Sequence, residues 1–341
     1  MTMDLEHRPS EGSSSSREHG NRSQVSWVLA SLIVLAALVR LADPSSLPWL
    51  RNLLIVFGSL LVEAMPFILL GAAVSAAIEV LVPATAFARI ALLPRGLQLP
   101  AAAVAGVAFP VCECGSIPVA RRLAAKGLAP SAAVTFMLAA PIVNPVVVAS
   151  TFIAYRGRDT VWIMVFGRLA LGFLVAMTVG WVMGRIRSGE LLRARPGAAE
   201  TLEVDDVEPR WRRFFGHLAG DAVFMARFLI VGAALAAAIQ TFVPRSIVDG
   251  VASLPVLSLI AMMALAFVMS LCSESDAFVA ASFTAFGPSA QLAFLVFGPM
   301  VDLKLAALYI GTYRPGFLRA VIVAAGTTTL VSTLWLQVIV G

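Results

Sequence analysis

Charge is what this chain has least of. Lysine, arginine, aspartate and glutamate together make up 13% of its 341 residues, about half the share in an ordinary soluble domain. Hydrophobic residues make up 59%, which excludes a soluble globule of one or two domains. Cysteine is nearly as scarce: there are three, all in apolar segments, too few for a disulfide-stapled secreted fold. Histidine also numbers three; His7 and His19 lie in a polar tail, and His217 flanks an apolar run. No P-loop, H-E-x-x-H or G-x-S-x-G pattern occurs, so the usual centres of nucleotide, zinc-protease and serine-hydrolase chemistry are missing. An enzyme is therefore not expected, nor a cofactor or resident metal. The net charge of +5 does not point to nucleic acid, because the arginines sit at the ends of apolar runs and in one central linker, as membrane orientation requires.

Long apolar runs are abundant. Each is about the length a helix needs to cross a ~30 Å hydrocarbon layer. No sustained period of two marks barrel strands, and lipid leaves every backbone polar group to be satisfied within the protein. The fold class is all-α, a polytopic transmembrane helical bundle of about eight or nine spans with interrupted helices. The expected location is the plasma membrane, crossed several times, with the lipid bilayer and a small solute or ion as partners.

Residues 1–24 are too polar to bury anything and are expected to be a disordered tail. Residues 25–184 make a first membrane half, opening with an extra span at Val25–Leu41. Residues 185–214, rich in arginine with an acidic run from Glu203 to Glu208, make a cytoplasmic linker, and residues 215–341 a second half. The further spans expected are Leu53–Val82, Leu97–Ala120, Ala129–Ala154, Val161–Met183, Leu218–Val243, Leu254–Val268 with its continuation, Gln291–Tyr309 and Phe317–Val340.

The two halves resemble each other. Phe67–Pro83 aligns without gaps to Phe228–Pro244, with nine identities in seventeen positions, among them Gly71 with Gly232 and Pro83 with Pro244. At an offset of 158, Cys114 aligns with Cys272, Pro130-Ser131 with Pro288-Ser289, and Pro141-Ile-Val-Asn144 with Pro299-Met-Val-Asp302. An internal duplication is expected, as in secondary transporters whose site lies between two repeats and is made from broken helices. Whether the repeats are inverted or parallel stays open.

Three interruptions place polar groups at membrane depth. In Phe109-Pro-Val-Cys112-Glu113-Cys114-Gly115-Ser-Ile-Pro118, two prolines and a glycine are expected to end a regular helix, and opened backbone is tolerated there only where it lines a cavity or is covered by protein. Cys112 and Cys114 offer two polarizable sulfurs, suited as thiolates to thiophilic species. In the second half stands Ser270-Leu-Cys272-Ser273-Glu274-Ser275-Asp276, whose acids should face the bundle interior and mark a pathway or proton relay. The third is the matched pair around Asn144 and Asp302, where Lys304 follows two residues later; an unwound segment would bring Asp302 and Lys304 together. Arg168, Arg227, Glu63, Glu79 and Asp221 lie within or near spans and rank below these, since such residues also pair or snorkel structurally.

Pro110-Val-Cys-Glu-Cys-Gly-Ser-Ile-Pro118, followed by Val119-Ala-Arg-Arg122 and Lys126-Gly127, resembles the bacterial predicted-permease family that includes the ArsP-type organoarsenical efflux permeases. The resemblance extends from about Leu53 to the C-terminus, through Ala140-Pro-Ile-Val-Asn-Pro145 and Leu271-Cys-Ser-Glu-Ser-Asp-Ala-Phe278. It implies an eight-helix permease core, the N-terminal span being additional, with a thiol-bearing central site. Glu113 stands between the cysteines where the family pattern has a small or hydroxylated residue, and its charge favours a cation over a neutral arsenical. The expectation is a permease working by alternating access on a small solute, such as a trivalent arsenical or a soft metal ion. Cys112, Glu113, Cys114, Gly115, Asn144, Cys272 and Ser273 would line the solute site. Glu274, Asp276, Asp302 and Lys304 would couple transport to protons or ions. Two alternatives are a membrane thiol-disulfide oxidoreductase cycling Cys112 and Cys114, and a scaffold that transports nothing, which leaves the buried carboxylates unexplained.

Overall fold

Every described element is a helix. The structure, a computed structural model, describes residues 48–81, 94–108, 111–184, 209–242 and 255–340. The expected tail, the span at Val25–Leu41 and most of the linker lie outside them. In chain order the helices are α1 Pro48–Leu81, α2 Arg95–Ala105, α3 Glu113–Ala125, α4 Pro130–Val143, α5 Pro145–Ala154 and α6 Val161–Met183. There follow α7 Arg210–Phe242, α8 Pro255–Met269, α9 Asp276–Ser282, α10 Pro288–Phe297, α11 Leu303–Thr312 and α12 Pro315–Val340. The described residues from Leu53 onward form one compact unit.

Among the described residues, five stretches are long and apolar enough to cross a membrane: Pro48–Leu81, Pro130–Ala154, Val161–Met183, Arg210–Thr241 and Gly316–Ile339. Several spans expected as single elements are pairs of short helices. Leu97–Ala120 divides into α2, a 3-10 turn at Gly106–Ala108, and α3. Gln291–Tyr309 divides between α10 and α11, and the run from Leu254 between α8 and α9. The cysteine segment also differs from expectation. Gly115 and Pro118 lie inside α3, and the helix begins at Glu113 with Cys112 as its N-cap. Pro118 costs α3 one internal hydrogen bond, while Ser116 Oγ, 2.9 Å from both Glu113 O and Met137 O, ties this turn to α4. α7 starts at Arg210, inside the polar stretch expected to be linker; a helix can carry arginines on its first turn while its apolar face begins further in.

Helix α4 is central: 72% of the apolar window that it forms with α5 is buried, against 44% for α6 and 33% each for α7 and α12. α4 packs on α2, α3 and α6; α10 packs on α8, α9 and α12; and α11 packs on α7. Across the molecule α6 meets α10 and α12, α9 meets α5, and α11 meets α3. Large apolar side chains such as Trp162, Phe166, Trp181, Val231 and Trp335 face outward, as they do where lipid is the solvent.

Two aligned glycines explain how closely the long helices approach the short ones. A Cβ on Gly71 would collide with the backbone of Gly115, and one on Gly232 would lie 2.8 Å from Lys304 Cα. α1 thereby rests on the first turn of α3, and α7 on the first turn of α11. At the far end of α3, Arg122 bridges Glu79 of α1 and Asp221 of α7, at 3.3 Å each. Lys126 Nζ donates to the carbonyls of Ile78 and Glu79 at 2.8 and 2.9 Å, satisfying acceptors that the last turn of α1 leaves open.

Candidate functional site

Three of the four helix breaks converge, those before α3, α9 and α11. Cys112 and Glu113 open α3; Ser270–Ser275 join α8 to α9; Asp302 opens α11; Asn144 separates α4 from α5. A helix start leaves unbonded N–H groups. At two of these breaks an aligned side chain takes one up: Asn144 Oδ1 accepts from Val146 N at 3.0 Å, and Asp302 Oδ1 from Leu305 N at 2.6 Å. Ser270, with a positive φ of 49°, turns the chain sharply after α8 in a conformation uncommon for residues other than glycine. Its Oγ accepts from Leu303 N at 3.0 Å, which fastens the α8–α9 break to the start of α11.

Around these ends lies a buried polar cluster. Glu113 Oε2 accepts from Ser273 Oγ at 3.0 Å and from Ser273 N at 3.4 Å. Ser273 Oγ also lies 3.4 Å from Glu274 Oε2. Lys304 Nζ is 3.8 Å from each of Glu113 Oε1, Asp302 Oδ2 and Cys272 Sγ. All three cysteines are buried free thiols. Cys112 and Cys114 meet side chain to side chain, and Cys272 joins the cluster through Lys304. Gly115 makes the close contact with Gly71 of α1. Asn144 caps α5, its Oδ1 accepting from Val146 N.

A second buried group adjoins the first. Arg168 of α6 lies 2.7 Å from Asp276 Oδ2, and its guanidinium also donates to Ser273 O at 3.1 Å and to Thr151 Oγ1 at 2.9 Å. Ser275 Oγ donates to Glu63 of α1 at 2.6 Å. Arg168 and Glu63 ranked low in sequence and are bonded into this group, while Thr151 and Ser270 carried no separate signal. For Arg168 the signal was available: a lone arginine in an apolar run needs a buried partner.

Acceptor capacity is left over. Glu113 Oε1, Glu274 Oε1, Asp276 Oδ1 and Asp302 Oδ2 are buried and lack a hydrogen-bond partner. Such oxygens are costly to bury unless a proton or cation takes them up in part of the working cycle. Among the described residues, no three histidine, cysteine or acidic side chains converge closely enough to hold a metal ion in this state.

Comparisons with known proteins agree with this architecture. A family model described as a predicted permease, of the ArsP type, matches residues 49–340. The chain is 39% identical over 264 residues to the UPF0718 protein YcgR of Bacillus subtilis, covering 77% of this chain and 89% of that protein. It is 32% identical over 291 residues to a Streptococcus mutans protein named "Putative two-component membrane permease complex subunit", covering 84% of this chain and 94% of the relative. No solved structure matches the chain. Its apolar spans, its broken helices and these matches together make it a multi-pass membrane protein, and the chain belongs to the predicted-permease family.

Proposed function

We propose that this permease moves a small thiophilic solute across the plasma membrane by alternating access, with Cys112, Cys114 and Cys272 contacting the solute and Glu113 and Ser273 shaping its site. The observation that carries this reading is the burial of three free thiols beside unpartnered carboxylate oxygens where broken helices meet. Sulfur selects soft partners such as a trivalent arsenical or a soft metal ion. Glu274, Asp302 and Lys304 are the groups best disposed to exchange a proton or ion, and Asp276 acts with them through Arg168. Membership of a permease family gives no support to a thiol-disulfide oxidoreductase.

Two related halves supply the moving parts, with the polar stretch of 185–214 as a cytoplasmic linker that gives way to α7 at Arg210. Among the described helices, a long helix, four shorter ones and a second long helix occur in α1 to α6 and again in α7 to α12. The third helix of each series meets the fifth of the other, α9 on α5 and α11 on α3, which suits rocking about a shared central site. The Streptococcus relative is named as a subunit of a two-component complex, and we extend that to a second membrane subunit here, to be sought by co-purification.

The test is transport in liposomes containing purified protein. Cys112→Ser and Cys114→Ser are expected each to cut transport of phenylarsine oxide or Cd²⁺ at least about tenfold while leaving insertion intact, because a hydroxyl is a far harder ligand than a thiolate. Wild-type transport of both solutes by the double variant would reduce these cysteines to packing residues.

A further inference from the structure

Lys304 is fully buried on the first turn of α11, two residues after the cap Asp302. An ammonium carries three hydrogen-bond donors. Here its three neighbours all stand 3.8 Å away: Glu113 Oε1, Asp302 Oδ2 and Cys272 Sγ. At that distance an N–H group does not hydrogen-bond to oxygen, and those same two carboxylate oxygens are without a hydrogen-bond partner. The ammonium donates one long bond, to the Cys272 sulfur, and neutralises the two carboxylates without bonding to either. Its backbone, by contrast, is pinned, since α7 passes so close that a Cβ on Gly232 would lie 2.8 Å from Lys304 Cα. The movable part is the four-carbon stem with its point charge.

We infer that Lys304 is a tethered competitor occupying the site of a divalent, sulfur-preferring metal cation: Glu113, Asp302 and Cys272 serve the ammonium when the site is empty and the metal when it is full. This rests on the reading of the thiols and acids as the solute site and narrows the substrate class. Two carboxylates with a thiolate, formed as Cys272 releases its proton to water on metal binding, suit a borderline or soft divalent ion. Metal–ligand bonds of about 2.0–2.3 Å require each ligand to close in by about 1.5–1.8 Å on the point that Nζ now holds at 3.8 Å. The ammonium must therefore leave as the metal arrives. A neutral arsenical gains nothing from Glu113 or Asp302 and has no means of displacing it.

The experiment measures Cd²⁺ and phenylarsine oxide binding to the purified full chain by calorimetry. Lys304→Met is expected to tighten Cd²⁺ binding by at least about tenfold, since it removes a charge that repels the ion at short range. Lys304→Arg is expected to weaken it by about tenfold, since a guanidinium can bridge both carboxylates in fixed geometry and is harder to displace. Phenylarsine oxide binding should not differ among the three proteins. Cd²⁺ affinity unchanged in Lys304→Arg, or unchanged or weakened in a monodisperse Lys304→Met protein, overturns the inference; if Lys304→Met fails to fold, the arginine variant decides alone. The underlying site fails separately, if Cys112→Ser, Cys114→Ser and Cys272→Ser all leave Cd²⁺ binding at its wild-type strength. Absence of Cd²⁺ binding in every variant while phenylarsine oxide still binds overturns the inference and leaves the thiol site standing; absence of binding of both overturns both.

Discussion

Two buried charge clusters lie side by side and are built differently. Around Arg168 the guanidinium is close to its partners, with Asp276 at 2.7 Å and the oxygens of Thr151 and Ser273 at 2.9 and 3.1 Å. Around Lys304 every partner stands at 3.8 Å. Both sites are at most a few per cent exposed, so burial alone does not separate them. A planar fork can satisfy several acceptors at once, whereas a point charge on a flexible stem can be moved from one set to another. The difference marks a brace that holds α5, α6 and α9 together and a neighbouring site whose cation is held at longer range, as the exchange inferred above requires.

Breaking the brace should have the largest effect. Arg168→Gln or Asp276→Asn is expected to cost about 3–5 kcal/mol of stability, because each removes one member of a buried pair and leaves the other uncompensated. Thermal unfolding in detergent measures this, and the double variant Arg168→Met/Asp276→Leu should recover most of the loss. A double-mutant cycle sharpens the comparison: coupling between Arg168 and Asp276 is expected near the upper end of the usual range of about 0.5–3 kcal/mol, and that between Lys304 and Asp302 near its lower end. Equal couplings would mean that the two clusters are of one kind.

Smaller effects test how the helix ends are held. Gly71→Ala forces a methyl into the backbone of Gly115 and is expected to destabilise by about 1–3 kcal/mol; the same change at Gly216, which has open space around it, should be nearly silent. Asp302→Ala is expected to cost about 1 kcal/mol through loss of the cap on α11, while Asp302→Asn keeps a capping oxygen and should retain most of it. Ser275→Ala, which removes the bond to Glu63, should cost about 0.5–1.5 kcal/mol. Proteins of equal stability across this last set would separate the caps and bonds from the fold they appear in.

Much of the architecture was legible because membranes impose strong rules. An apolar run of sufficient length must be helical there, and the five long stretches confirm that reading. The matched Pro-x-x-Asn and Pro-x-x-Asp segments marked real breaks, because a short polar side chain after a proline-bearing turn is well placed to cap the next helix. The position of the first break was misjudged: Gly115 and Pro118 stay within α3, since a helix survives the loss of one bond when its neighbours cover it. Splitting of the run at Leu97–Ala120 into α2 and α3 was likewise hidden, for hydropathy reports depth and not continuity.

By itself the sequence determined the helical class, the membrane setting, the family and the kinds of atom available for chemistry: three thiols, a handful of acids and a few cations in apolar surroundings. Those follow from composition and local pattern, which act over a turn or two of chain. Only the tertiary structure decided the pairings. Arg168 meets Asp276 across 108 positions, and Glu113 meets Ser273 across 160; no periodicity spans such a distance. Close approach at Gly71 and Gly232 brings the helix starts together, and which cation is braced and which is left loose follows from the few ångströms that result.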